Sequence, residues 1–341
     1  MSANTFVINS RGKNMKLKML AIAGAFCATA VQAANVGFTI NYIDSDGVGF
    51  KDSIYGAQRK AVLETAINTW SNLLVASYAG ETISINAGSD PVSTSSSPGS
   101  ANNSLTFYTI GTTSYDPAMA QHLMQTNLTT AAGSSAGTGA DARLIFNFTS
   151  SMAAQTYLGL DGNTPADQFD MLTYTNRYIG HILGFESRIT TSVTNQGAFI
   201  NGLPSAYDKL VAEKQADGSF IALTAMTNAQ RVAALTGSSL YWTGANATAA
   251  NGGEYLKLAT RPLKADGTLD GNTEVWVDPS VATLMSGSTG KGVSRAPDAL
   301  TFAQLQDLGW SVSAVPEPSS YAMLLAGLGI CGLMARRRSR A

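Results

Sequence analysis

Residues 169–187, Phe169-Asp-Met-Leu-Thr-Tyr-Thr-Asn-Arg-Tyr-Ile-Gly-His-Ile-Leu-Gly-Phe-Glu-Ser187, decide how the rest of the chain is read. The stretch reads as a helix closed by a Gly turn. On a helix, positions i and i+4 share one face. Two His placed there chelate Zn²⁺, and a Glu directly after the first polarises the attacking water. Here the second position is His181, the first is Arg177, and the place of the Glu is taken by Tyr178. A guanidinium has no acceptor and stays protonated, so Arg177 cannot ligate a metal. Tyr178 is a poor base near neutral pH. The competing reading is a buried core helix with one satisfied His.

Gly180-His181-Ile182-Leu183-Gly184-Phe185 resembles the second half of the HEIGHxLGF segment of bacterial zincin-type metallopeptidases. Downstream, Pro204-Ser205-Ala206-Tyr207-Asp208-Lys209 resembles a Pro-x-x-[FY]-Asp-[RK] box of such proteins. Met226 to Arg231 and Leu240 to Gly244 resemble a later helix and a Trp-containing strand. Gly271 to Asp278, then Leu284-Met285, then Asp307-Leu308-Gly309-Trp310 resemble the closing boxes, with Trp276 where relatives carry an additional His. The resemblance covers about residues 36 to 312. It implies an α+β fold: a single zincin-like domain whose central helix packs against a mixed sheet, with a cleft beside His181. The scaffold is kept and the catalytic Glu and zinc ligands are degenerate at Arg177, Tyr178 and Trp276. His181 is then vestigial. His122, Asp170, Glu186 and Asp278 are the donors that remain for a zinc ion, and none stands at i,i+4 from His181. If the metal is lost, Arg177 is suited to stand in for it as a fixed cation paired with Asp170, Glu186 or Asp278.

The two ends read as targeting segments. Lys16-Leu17-Lys18 precedes an apolar run from Met19 to Val31, and Val31-Gln32-Ala33 offers small residues before a cleavage point. Residues 1–33 are therefore expected to be a signal peptide, with Met15 as an alternative start. At the other end, Pro316-Glu317-Pro318 leads into a mostly apolar run, 321–335, and then Arg336-Arg337-Arg338-Ser339-Arg340. This tail, 314–341, resembles the PEP-CTERM sorting signal. The run is short for a span of about 20 residues, but the Arg cluster would hold its end in the cytoplasm as a membrane helix. The resemblance implies Sec export, recognition of Pro316, Glu317 and Pro318 by an exosortase, and transient residence at the inner membrane and periplasm. The protein then reaches the outer surface or the extracellular space, among exopolysaccharide or matrix.

Between the tails, residues 34–313 show no repeat and no linker and are read as one ectodomain. Cys27 and Cys331 both fall in the tails, so the ectodomain has neither thiol nor disulfide; roughly 280 residues can bury a sufficient core without one. The tails hold eight of the 22 Lys and Arg and one of the 23 acids, which leaves about −8. That dilute negative charge argues against nucleic acid as a partner.

Period-2 alternation predicts a strand at 36–42, and Asp44-Ser45-Asp46-Gly47 reads as a plain turn, since Val48 takes the place of a third calcium ligand. Helical spacing predicts a helix from Ser53 to Tyr78 stopped by Gly80, then a strand at 82–85, a loop from Gly88 to Ser104 and strands at 105–110 and 143–148. Asp116-Pro117 opens a short helix holding His122, read as a core or boundary imidazole. Thr301 and Gln304 read as a capping box for the last helix, with Gly309 as its stop. Three readings of function stay open: a non-catalytic surface or matrix protein on a degenerate metallopeptidase scaffold, an active zinc-dependent hydrolase with an unorthodox ligand set, and a structural matrix component unrelated to peptidases.

Overall fold

The computed structural model describes residues 34–90, 98–103, 108–110, 113–115, 140–260, 263–269, 276–287 and 289–313. The expected alternation forms β1 (Gly37–Tyr42), with Phe38, Ile40 and Tyr42 packed against the core and Thr39 and Asn41 exposed. The turn that follows is a clamp rather than an ion loop. Both Asp44 carboxylate oxygens are taken by protein donors, the amide of Phe50 at 2.7 Å and the amide and hydroxyl of Ser89 at 2.7 and 2.9 Å.

Helix α1 (Gly56–Leu73) buries Val62, Leu63, Ala66, Ile67 and Trp70. It stops short of the predicted Tyr78 because the next residues are recruited as extended chain. Val36 N donates to Leu74 O (3.0 Å), Ala76 N to Ala34 O (2.7 Å), Val75 N to Ser311 O (2.9 Å) and Ser313 N to Leu73 O (2.8 Å). The first and last described residues thus flank one short segment.

The main sheet is mixed, in the order β1-β2-β6-β3. β2 (Thr82–Ser89) runs parallel to β1 and is twice the predicted length. β3 (Gly99–Asn103) is an antiparallel edge strand inside what the sequence suggested was loop, because Gly, Ser and Asn carry little strand propensity of their own. A separate hairpin joins β4 (Tyr108–Ile110) to β5 (Thr113–Tyr115), and β6 (Ala142–Phe146) returns parallel to β2. The helix expected around His122 lies outside the described residues.

After a one-turn helix α2 (Ser150–Ala153), β7 (Thr156–Tyr157) pairs in parallel with β8 (Phe169–Asp170), which runs directly into α3 (Met171–Ile182). α3 packs against α1 and against the edge strand β3. A second, antiparallel sheet has the order β10-β9-β11-β12, from β9 (Val211–Lys214), β10 (Phe220–Ala222), β11 (Leu240–Trp242) and β12 (Leu256–Lys257). Two helices interleave it: α4 (Asn228–Thr236), opened by a Thr227–Gln230 capping box, and α5 (Ala245–Ala250). The last helix, α6 (Ala299–Leu308), corrects a predicted cap. Asp298 caps it by accepting from Thr301 N, so Thr301 sits inside the first turn, whereas Gly309 ends it with a left-handed φ of 113° as expected. The architecture is α+β, with a central helix beside a mixed sheet.

Candidate functional site

α3 is buried on nearly every side, including Thr173, Thr175, Asn176, Arg177 and His181. An interior helix of this kind has to satisfy each polar side chain within the protein. Asp170 does so as N-cap: its carboxylate accepts from Leu172 N at 3.2 Å and from the Thr173 hydroxyl at 2.7 Å. Gly184, at φ 107°, breaks the helix, and the Trp310 indole then donates to the freed carbonyl of Leu183 at 2.7 Å.

The two face-sharing residues are both inside. The Arg177 guanidinium donates from Nη1 to the carbonyls of Leu284 (2.6 Å) and Ser286 (2.7 Å) and lies 4.0 Å from the centre of the Trp276 ring system. His181 Nδ1 donates to Phe185 O at 2.7 Å, and its ring meets the same Trp276 edge-on at 4.8 Å. One indole therefore covers both side chains. Tyr178, where a catalytic Glu would stand, is a core residue packed edge-to-face on Phe146.

The expected pairing of Arg177 with Asp170 or Asp278 is not formed. Asp170 caps its own helix, and Asp278 accepts from Ser280 and pairs with Lys257 at 3.2 Å. Ser280 and Lys257 hold the Asp278 carboxyl below its ordinary range. Glu186 presents its carbonyl to the Ser205 hydroxyl at 2.8 Å. The burial expected for Arg177 is present, and two main-chain carbonyls and an indole face are among its partners.

Among the described residues no open cleft lies beside His181. His181, Phe185, Tyr207, Trp276, Val277, Met285 and Gln304 line a pocket of about 10 Å³, the room of a single water. Gln304 Oε1, which has no hydrogen-bond partner among the described residues, faces this buried neighbourhood. These residues do not fit a zinc ion. Arg177 offers no lone pair, Asp170 and Asp278 are spent elsewhere, and among the described residues no three His, Cys, Asp or Glu side chains are placed to hold a metal.

The downstream boxes gather around the C-terminal end of α3. Asp208 is fully buried and accepts from Ser187 Oγ (2.6 Å), Arg188 N (2.9 Å) and Ser205 N (2.9 Å). Burial pushes its carboxyl above the ordinary range, against the pull of these donors. Asp307 accepts from the Trp242 indole at 2.9 Å and from the amides of Asn246 and Ala247. Met285 lies directly under Gly180, its Sδ 3.1 Å from where a β-carbon would be, so a side chain there would require the Met285 thioether to shift. Residues 271–275 lie outside the described residues.

A larger concavity, about 540 Å³, opens elsewhere, between the start of α1 and the α2–β7 segment. The sequence did not single out its lining residues. They come from positions about a hundred residues apart and carry no motif.

Residues 314–338 match the family described as PEP-CTERM protein-sorting motif, which takes in Pro316, Glu317 and Pro318. No curated protein and no solved structure matches the chain. The match supports an exported protein that an exosortase recognises and places at the cell surface or outside the cell. No helix among the described residues is long and apolar enough to cross a membrane, and the run 321–335 lies outside them.

Proposed function

We propose that this chain is an exported, exosortase-processed surface or matrix protein whose ectodomain, residues 34–313, is a non-catalytic metallopeptidase-like scaffold. The observation that carries the reading is the Arg177–Trp276–His181 cluster. Where the resemblance puts a zinc ligand there is a buried guanidinium bonded to two main-chain carbonyls, and the indole at the position of the additional His covers it. A central helix against a mixed sheet and the Leu284-Met285 turn beneath it also support this reading. Among the described residues the cluster leaves no donor set for a metal and no room for a substrate carbonyl at His181.

The mature protein is expected to carry no stoichiometric zinc by elemental analysis and to leave peptide and casein substrates uncut. One zinc per chain that survives chelator-free dialysis would instead favour an active hydrolase. Processing is checked separately by mass spectrometry of the cell-associated protein. The expected mass is that of a chain starting at Ala34 and ending near Val315; a mass that retains residues 321–335 would argue for a permanent anchor.

A further inference from the structure

We infer that the 540 Å³ concavity between α1 and the α2–β7 segment is a binding site for an uncharged saccharide. Its volume falls within the range of small-molecule sites, about 300–1,000 Å³. Three aromatic side chains, Tyr55, Phe148 and Tyr157, form its apolar walls, and the neutral groups of Gln58, Thr156 and Gln168 stand among them. A pyranose has the matching chemistry: a face of polarised C–H bonds that attracts the negative face of an aromatic ring, and a rim of hydroxyls that exchange hydrogen bonds with amides and hydroxyls.

The absence of available charge among the described lining residues selects a neutral ligand. Arg59 is the one ionised residue among the described residues that line it, and the guanidinium is already engaged. Nη1 donates to Gly49 O at 2.8 Å and lies 3.8 Å from Asp52, and the group sits 4.1 Å from the centre of the Phe148 ring, with its side chain 6% exposed. It braces the wall rather than reaching for an anion.

Tyr157 is held in place before any ligand arrives. Its hydroxyl donates to Asp161 at 2.7 Å, and its ring lies over Gly159 so closely that a β-carbon there would fall inside it. A ring fixed at both ends loses little conformational freedom on binding. Tyr55, by contrast, is 48% exposed at the start of α1, and the Gln58 amide one turn on makes no hydrogen bond among the described residues. Both are available to a ligand. The inference does not rest on the scaffold reading, because this concavity shares no residue with the surroundings of His181.

The test is calorimetric titration of the full-length mature protein with cellobiose, maltose and diacetylchitobiose, with digalacturonate as the charged control and a tyrosyl tripeptide as the peptide control. At least one neutral disaccharide is expected to saturate the protein. Tyr157→Ala should weaken that binding about tenfold, and Gly159→Ala should do the same by displacing the ring. Tyr157→Phe should retain most of it. Gln58→Ala, on an exposed helix surface, should weaken it several-fold and decides the matter if Tyr157→Ala does not fold. Four results would overturn the inference: no heat from any neutral disaccharide at tens of millimolar, equal or tighter binding of digalacturonate, binding of the tripeptide alone, or saccharide binding unchanged in folded Tyr157→Ala and Gln58→Ala.

Discussion

Arg177→Ala is expected to lower the unfolding free energy by about 3–5 kcal/mol, measured by urea denaturation of the purified ectodomain. Arg177 is 6% exposed, so solvent does little to screen its interactions. Truncation leaves the Leu284 and Ser286 carbonyls without the bonds that Nη1 supplies, and a buried acceptor left unpaired costs about 1–3 kcal/mol. It also removes the cation from the face of Trp276, worth up to about 2 kcal/mol when desolvated, and opens a cavity. These contributions are not additive, which is why the expected loss is below their sum. Arg177→Lys should recover part of it, since an ammonium can reach one carbonyl but lacks the planar fork that spans two. A loss under 1 kcal/mol for Arg177→Ala would show that the cluster does not hold the 284–286 turn to α3.

Asp208→Ala should cost about as much, roughly 3–5 kcal/mol, because it strands Arg188 N, Ser205 N and the Ser187 hydroxyl in the interior. Asp208→Asn is the informative partner. Its carbonyl can replace Oδ2, which accepts both amides, while the Ser187 hydroxyl turns to accept from the new NH₂. Because burial raises the folded-state pKa of Asp208, its contribution is fully present below the unfolded value of about 3.9 and declines as pH rises through the folded value. The Asn variant has no such decline. Its stability relative to the native protein should therefore improve between pH 4 and pH 7, and an unchanged difference across that window would mean that the donors fully offset the burial.

Local pattern revealed the elements that depend on local pattern. The alternation in β1, the helix at 171–182 and the Gly309 stop are set by neighbouring residues, and each stands close to where the sequence puts it. The misplaced elements are set by distant ones. α1 ends at Leu73 because residues 34–36 and 311–313 claim the next segment, and β3 exists because β6 offers it an edge. The site divides the same way. That Arg177 could not be a ligand follows from its chemistry alone, and that Tyr178 and Trp276 interrupt a motif is visible in the letters. The carbonyl bonds of Arg177 were not legible, because main-chain carbonyls leave no trace in residue identity, and Asp170, read as a donor for metal, is consumed as a helix cap. The order of the downstream boxes, by contrast, makes physical sense once folded: Asp208, Asp307 and Trp310 each tie a remote segment to the end of α3 or to β11.

The meeting of residues 34–36 and 311–313 on residues 73–76 bears on how the protein carries mechanical load. Ser313 and Ser311 are bonded to Leu73 and Val75, while Ala34 and Val36 are bonded to Ala76 and Leu74 on the other side. A protein held through the chain that follows residue 313 is therefore gripped at the edge where residues 34–36 also lie. Tension applied beyond residue 313 is first resisted by the backbone bonds to Leu73 and Val75 and by the Trp310 indole bonded to the Leu183 carbonyl that caps α3. Once these yield, tension reaches α6, whose Asp307 is bonded to the Trp242 indole of β11.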